Sequence, residues 1–146
     1  MKKQVIGQYF SSIYRNQMVY INSICTDLGF GNGQYIYLLM IDSNPGITQK
    51  ELTDFVKIDK ANTNRALKKL QSLDLIHIKP DDNDARNKRN YLTDKGMETV
   101  KILRTRLSSL PGIYSEDISD EDFAVFTRVI EQMEKNIVEK VKELHG

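Results

Sequence analysis

Between two short alternating segments the chain reads Asp84-Ala85-Arg86-Asn87-Lys88-Arg89, three cations and one carboxylate in six residues. Guanidinium groups at a hairpin tip suit phosphate oxygens or a narrow minor groove, and an aspartate just ahead of the first arginine can fix the geometry from which that arginine reaches. A charged loop alone is most simply a solvated one, so its surroundings decide. Residues 57–70 hold Lys57, Lys60, Arg65, Lys68 and Lys69 against Asp59, five charges against one and a local net of +4 in a chain whose total is +1. Residues 115–146 hold nine carboxylates and four Lys or Arg, a net of −5. A basic middle and an acidic end imply different partners, the first of them a polyanion.

Other chemistry is not offered. The sequence has no phosphate-cradling glycine loop, nucleophile elbow, His-Glu-x-x-His or paired cysteines. Gly29-x-Gly31-x-Gly33 lacks a preceding strand and reads as a helix break, and His77 sits on an alternating segment where a structural role suits it. One cysteine, Cys25, with His77 and His145 far apart, leaves neither a disulfide framework nor a metal-ligand cluster. The expectation is a protein with no catalytic residues, cofactor or metal. At 146 residues, 40% hydrophobic and 28% charged, the chain suits one globular domain spanning 1–146. No apolar run is long enough to span a bilayer, and Met1-Lys2-Lys3-Gln4 leads into mixed polar sequence, so a cytoplasmic location is expected.

The elements that must carry the basic middle follow from periodicity. Ile6, Phe10, Ile13, Tyr20 or Ile21, Ile24 and Leu28 recur at helical spacing over about residues 3–28, and Tyr35 to Ile41 reads as a more buried helix. Thr48 with Glu51 forms a capping box for a short helix whose inner face is Leu52, Phe55 and Val56; Asp59 can cap the next, over about 59–74. Two short helices so spaced make a helix-turn-helix. The second turns Thr63, Ala66, Leu67 and Leu70 inward, and outward it presents Ala61, Asn64, Arg65, Lys68 and Ser72, flanked by Asn62 and Lys69 and preceded by Lys60, with no carboxylate. An acid-free face opposes its own charges and gains only from an external anion. Ile76 to Lys79 and Asn90 to Leu92 flank turn material from Pro80 to Lys88, a β-hairpin wing, and a further helix runs from Thr93-Asp94 toward Ser109, ended by Pro111-Gly112. The fold class expected is mainly α with a small β-hairpin wing: a winged helix-turn-helix flanked by terminal helices.

After Ser119 a last helix keeps Phe123, Phe126, Ile130, Met133, Ile137, Val141 and Leu144 in one narrow stripe. With Ile6, Phe10 and Ile13 of the first helix, that stripe exceeds what so small a globule covers from within, and a second copy of the chain is the expected cover. A small-molecule pocket is expected where the first helix, the Tyr35–Ile41 helix and the lobe meet, with Tyr9, Arg15, Tyr35 and Tyr37 as lining residues. Two alternatives stay open: a winged-helix module whose basic face meets an acidic protein, and a one-cysteine redox sensor using Cys25. Against the second, Asp27 opposes thiolate formation and no cation follows within the next eight residues.

The ordered set Gly46-Ile47-Thr48-Gln49-Lys50-Glu51-Leu52, Asn64-Arg65-Ala66-Leu67-Lys68-Lys69-Leu70, Asp84-Ala85-Arg86-Asn87-Lys88-Arg89 and Leu92-Thr93-Asp94-Lys95-Gly96 resembles the MarR family of transcriptional regulators over essentially the whole chain. The resemblance implies a homodimer held by helices at about 1–28 and 115–146, with winged lobes at about 31–110 straddling a pseudo-palindromic double-stranded operator. It implies a repressor released by a small aromatic or phenolic effector. Arg86 would reach the minor groove, with Asp84 orienting it, Lys88 and Arg89 adding wing charge, and Asn64 and Arg65 touching bases and backbone. Thr63 stands where members usually carry an apolar residue, Asn62 and Asn64 replace small hydroxyl residues, and Asn87 replaces Asp or Gly, so no base of the operator can be assigned.

Overall fold

A computed structural model describes residues 5–31, 33–57 and 60–146. The residues up to Leu107 form one compact unit and Ser108–Gly146 a second. In the first, α1 (Ile6–Ile24) ends before the expected Leu28, because the backbone tightens into a 3-10 turn, Thr26–Leu28, closed by Gly29 in the left-handed region at φ 82°. The helix α2 (Tyr35–Ser43) buries Tyr37, Leu38 and Ile41. Then come the helices α3 (Gln49–Val56) and α4 (Lys60–Ser72), the strands β2 (Ile76–Pro80) and β3 (Lys88–Leu92), and α5 (Asp94–Leu107). Leu38, Ile41, Leu52, Leu67, Leu70 and Leu103 meet in the core, each burial contributing about 2 kcal/mol.

The sheet has three strands, in the order β1-β3-β2, where β1 is the two-residue strand Ile47–Thr48. It pairs antiparallel with β3, Ile47 opposite Asn90 and Thr48 opposite Arg89. The sequence reading has no such strand, since two residues carry no periodicity. The hairpin is also longer than expected: Pro80 ends β2 opposite Lys88, so Lys88 and Arg89 belong to a strand and not to the turn. Proline is tolerated there because β2 is the sheet edge.

The segment Leu92-Thr93-Asp94-Lys95-Gly96 welds the hairpin to α5. The Thr93 hydroxyl accepts from Gly96 N–H (2.9 Å), which caps α5, and donates to the Asp74 carbonyl (2.6 Å). Thr93 N–H donates to the Leu75 carbonyl at 3.1 Å. A Cβ on Gly96 would lie 2.0 Å from that same carbonyl oxygen, so only glycine lets α5 sit this close to the strand. Arg104 on α5 pairs with Asp42 on α2 at 2.6 Å.

In the second unit, Pro111 falls in the first turn of a short helix α6 (Leu110–Ser115), where its missing N–H costs nothing; it opens that helix, beyond the end of α5 at Leu107. The helix α7 (Asp120–His145) is capped by Ser119, whose hydroxyl accepts from Asp122 N–H at 3.1 Å, and Asp120, Glu121 and Asp122 complement its positive end. None of its 26 residues is buried. Among the described residues no helix is long and apolar enough to cross a membrane.

Candidate nucleic-acid interface

The start of α3 is fixed locally. Thr48 is extended, its hydroxyl accepts from Glu51 N–H (3.2 Å), and Glu51 Oε2 accepts from Thr48 N–H (2.8 Å), the reciprocal capping expected from sequence. These bonds, the backbone one foremost, hold the Glu51 carboxyl below the usual range. At its far end Lys57 takes a left-handed conformation (φ 58°) and closes α3 on the Thr53 carbonyl. The capping role assigned to Asp59 lies outside the described residues.

On α4 the inward side is as the periodicity requires, with Thr63, Ala66, Leu67 and Leu70 all buried. Thr63 earns its place among apolar neighbours through a partner: its hydroxyl lies 3.4 Å from that of Tyr37, itself buried on α2. Outward, Lys60, Ala61, Asn62, Arg65, Lys68 and Lys69 are exposed and Asn64 is half-buried. Helical geometry splits this outward set. Lys60, Ala61 and Asn64 line a cleft of about 810 Å³ shared with α3 and the wing, where Lys50, Arg86 and Lys88 join them. Asn62 and Arg65, bonded to each other, line a second cavity of about 640 Å³ on the other side of the helix.

The wing tip is a closed loop. Asp81 N–H donates to the Asn87 carbonyl (2.8 Å), and Asn87 N–H donates to the Asp84 carbonyl (2.9 Å). Asp84 Oδ1 accepts from the Arg86 backbone N–H at 3.0 Å. Asp84 therefore orients Arg86 through the main chain; its carboxylate is 4.0 Å from the Arg86 Nε, and that side chain remains 95% exposed. Arg89 is held quite differently. Its Nε donates to Asp81 Oδ2 (2.9 Å), with Nη2 paired to the same oxygen at 2.7 Å, and its Nη1 donates to the Gly46 carbonyl (3.0 Å). Gly46, left-handed at φ 86°, returns its N–H to the Asn90 carbonyl at 2.8 Å. The bond from Asn83 N–H, then that from Arg89, keeps the Asp81 carboxyl below its ordinary value. Arg89 thus braces the wing base against the turn before β1, where the sequence reading had it only as added wing charge.

The second cavity receives Tyr35 and Tyr37 from α2, Tyr14 and Met18 from α1, and Phe55 from α3. Tyr9 and Arg15, assigned to a pocket from sequence, do not line it. Measured from Tyr14 they point about 140° and 100° away round α1, whereas Met18 follows Tyr14 by one turn. Cys25 is 2% exposed, and burial pushes its thiol up; Arg106 opposes the rise and Asp27 adds to it. Arg106, far along the chain on α5, donates to the Ile24 carbonyl (2.7 Å) and to Asp27 Oδ2 (2.8 Å), so the cation missing from the local sequence is supplied by the fold. Of the residues expected at a dimer interface, Phe10, Ile13, Phe126, Ile137 and Val141 are exposed, while Ile6, Phe123, Ile130 and Met133 are half-buried.

The family model described as MarR family matches residues 28–87. The chain is 31% identical over 111 residues to the HTH-type transcriptional regulator YybA of Bacillus subtilis (strain 168), covering 76% of this chain and 74% of that protein. Its fold is similar to the crystal structure of a MarR transcriptional regulator from Methanosarcina mazei Go1, with a TM-score of 0.88 at 31% identity over 94% of this chain and 99% of that one. A MarR family transcriptional regulator from Listeria monocytogenes, crystallised with 26mer DNA, is similar at TM-score 0.85 and 27% identity, covering 96% of this chain and 92% of that one. The winged helix-turn-helix read from the sequence is thus the fold of these regulators. The chain belongs to the MarR family of transcriptional regulators.

Proposed function

We infer that this regulator binds double-stranded DNA through the cleft between α3, the start of α4 and the wing. One observation carries the reading: Lys50, Lys60, Arg86 and Lys88 converge on a concave surface beside a helix face that presents Asn64 and no acid. Such a surface gains from releasing the counterions of a phosphate backbone. The Listeria monocytogenes relative crystallised with DNA supports the same reading. The α4 helix, with Ala61, Asn64, Arg65, Lys68 and Lys69, lies in the major groove; Arg86 reaches the minor groove with Asp84 behind it, and Arg89 keeps the wing base in place.

The chain acts as one protomer of a cytoplasmic homodimer on a pseudo-palindromic operator. Phe126, Ile137, Val141 and Leu144 of α7 share one side of the helix and are all exposed in the single chain, a stripe that a second copy would cover. The protein represses, and a small aromatic or phenolic effector in the tyrosine-lined cavity relieves it: Arg65 and Asn62 belong both to that wall and to the recognition helix, so an occupant there bears directly on DNA affinity. The test is duplex binding by fluorescence anisotropy across a salt series. Log affinity should fall steeply against log salt, and the double variant Arg65→Ala, Arg86→Ala should lose tight binding; tight, saturable binding by that variant overturns the assignment. Removal of α7 by truncation after Glu116 should leave a monomer-sized species in light scattering.

A further inference from the structure

The cleft assigned to DNA carries a carboxylate as well as cations. Asp54, in the last turn of α3, lines it together with Lys50, Lys60, Arg86 and Lys88. Helix stability does not account for it. A negative charge in a last turn opposes the helix dipole and α3 has no basic residue in that turn; Lys50 stands one turn earlier on the same face, but in the weaker, base-first order, and among the described residues no ion pair includes Asp54. Nor does affinity for phosphate account for it, since the carboxylate repels the same backbone that the surrounding cations attract. What remains is chemistry of the groove floor. A carboxylate only accepts hydrogen bonds, and the floor of a major groove offers a donor in a few places, the exocyclic N4 amino group of cytosine being the one that carboxylates match.

We propose that Asp54 is a specificity-determining residue, one that weakens binding to duplex DNA in general and is compensated only where a cytosine N4 amino group faces it. This rests on the reading of the cleft as the DNA-docking surface. On a non-cognate duplex the cleft is occupied by phosphates and water, and Asp54 contributes repulsion alone. On a cognate duplex the same charge receives a hydrogen bond, and the repulsion is offset. Affinity is given up on every sequence and regained on few, which widens the ratio between them.

The experiment uses the full chain and two probes: a duplex of random sequence, and a duplex recovered by repeated selection on the wild-type protein. Asp54→Ala removes charge and acceptor together, and it should bind the random duplex about three- to tenfold tighter, the size of one like-charge contact at a surface. On the selected duplex it should gain less or lose, so the ratio of the two affinities falls. Asp54→Glu, which keeps the charge, should retain the weak random binding. Selection repeated on Asp54→Ala should return sites that have lost one fixed cytosine per half. A ratio unchanged in Asp54→Ala, with Arg86→Ala weakened on both duplexes, overturns the role of Asp54 and leaves the docking surface standing. Arg86→Ala binding both duplexes like wild type overturns the docking surface itself, and the proposal with it.

Discussion

Arg86 and Arg89 lie on the same wing, yet one projects a guanidinium that is 95% exposed and the other holds its own between Asp81 and the Gly46 carbonyl. Around Arg86 only backbone geometry is fixed, by the Asp84 turn. Around Arg89 nearly everything is fixed: the sheet register opposite Thr48, the Thr93 cap, and the contact of Gly96 with Leu75 just beyond it. The difference shows how an exposed side chain can serve recognition. Its own side chain stays open to a partner, while the hairpin whose turn carries it is pinned to the recognition lobe at several points.

That contrast can be broken at the base or at the tip. The largest effect should come from Gly96→Ala, which drives a Cβ into the Leu75 carbonyl and should cost about 3 kcal/mol in chemical denaturation. A variant of unchanged stability would mean that α5 and the strand separate easily. At the tip, Arg86→Ala should lower duplex affinity about tenfold and flatten the salt slope by about one, with the thermal midpoint unmoved. Separation of base from tip is sharpened by Asp81→Asn. It should weaken DNA binding only about twofold, through looser placement of the wing, with no change in salt slope, since Asp81 touches no phosphate. A slope change equal to that of Arg86→Ala would put Arg89 in direct contact with DNA.

Acid should loosen the base. The carboxyls of Asp81 and Glu51 titrate below their ordinary values in the folded protein, so the stability they contribute is complete above the unfolded range near pH ~4 and is lost as pH falls through the lower folded values. Asp81→Asn should shrink that acid-side loss in a denaturation series. The smallest effect is expected at Cys25: dilute peroxide at pH 7 should leave duplex binding as it was, because the buried thiol stays protonated there. Loss of binding on oxidation would make it a sensor.

Most features set by neighbours in sequence were legible from sequence, Phe55 excepted, which is expected on the inner face of α3 and is 57% exposed. The capping box needs only Thr48 and Glu51, the burial of Thr63, Ala66, Leu67 and Leu70 needs only helical spacing, and the turn that orients Arg86 needs only Asp84. Features set by partners across the fold were not. Arg89 looks like any wing cation until Gly46 is brought to it, Thr63 looks misplaced until Tyr37 arrives, and Cys25 has no cation nearby until α5 delivers Arg106. Of the four expected cavity residues Tyr35 and Tyr37 line it and Tyr9 and Arg15 do not, for a related reason: composition does not tell which side of α1 the cavity occupies, a side that Tyr14 and Met18 define. Asp54 gives no local signal, because the acid-free face belongs to α4 alone whereas the cleft is built from three elements.

The strand β1 is only two residues long, but it joins the residue that begins α3 to the strand that carries the wing. The jaws of the lobe, helix on one side and hairpin on the other, are thereby set at a fixed opening, like a caliper locked at one width. A duplex whose twist or local bend alters the span between adjacent grooves would be turned away by geometry before a single base edge is read, and lengthening the turn at Gly46 by one residue would unlock the caliper.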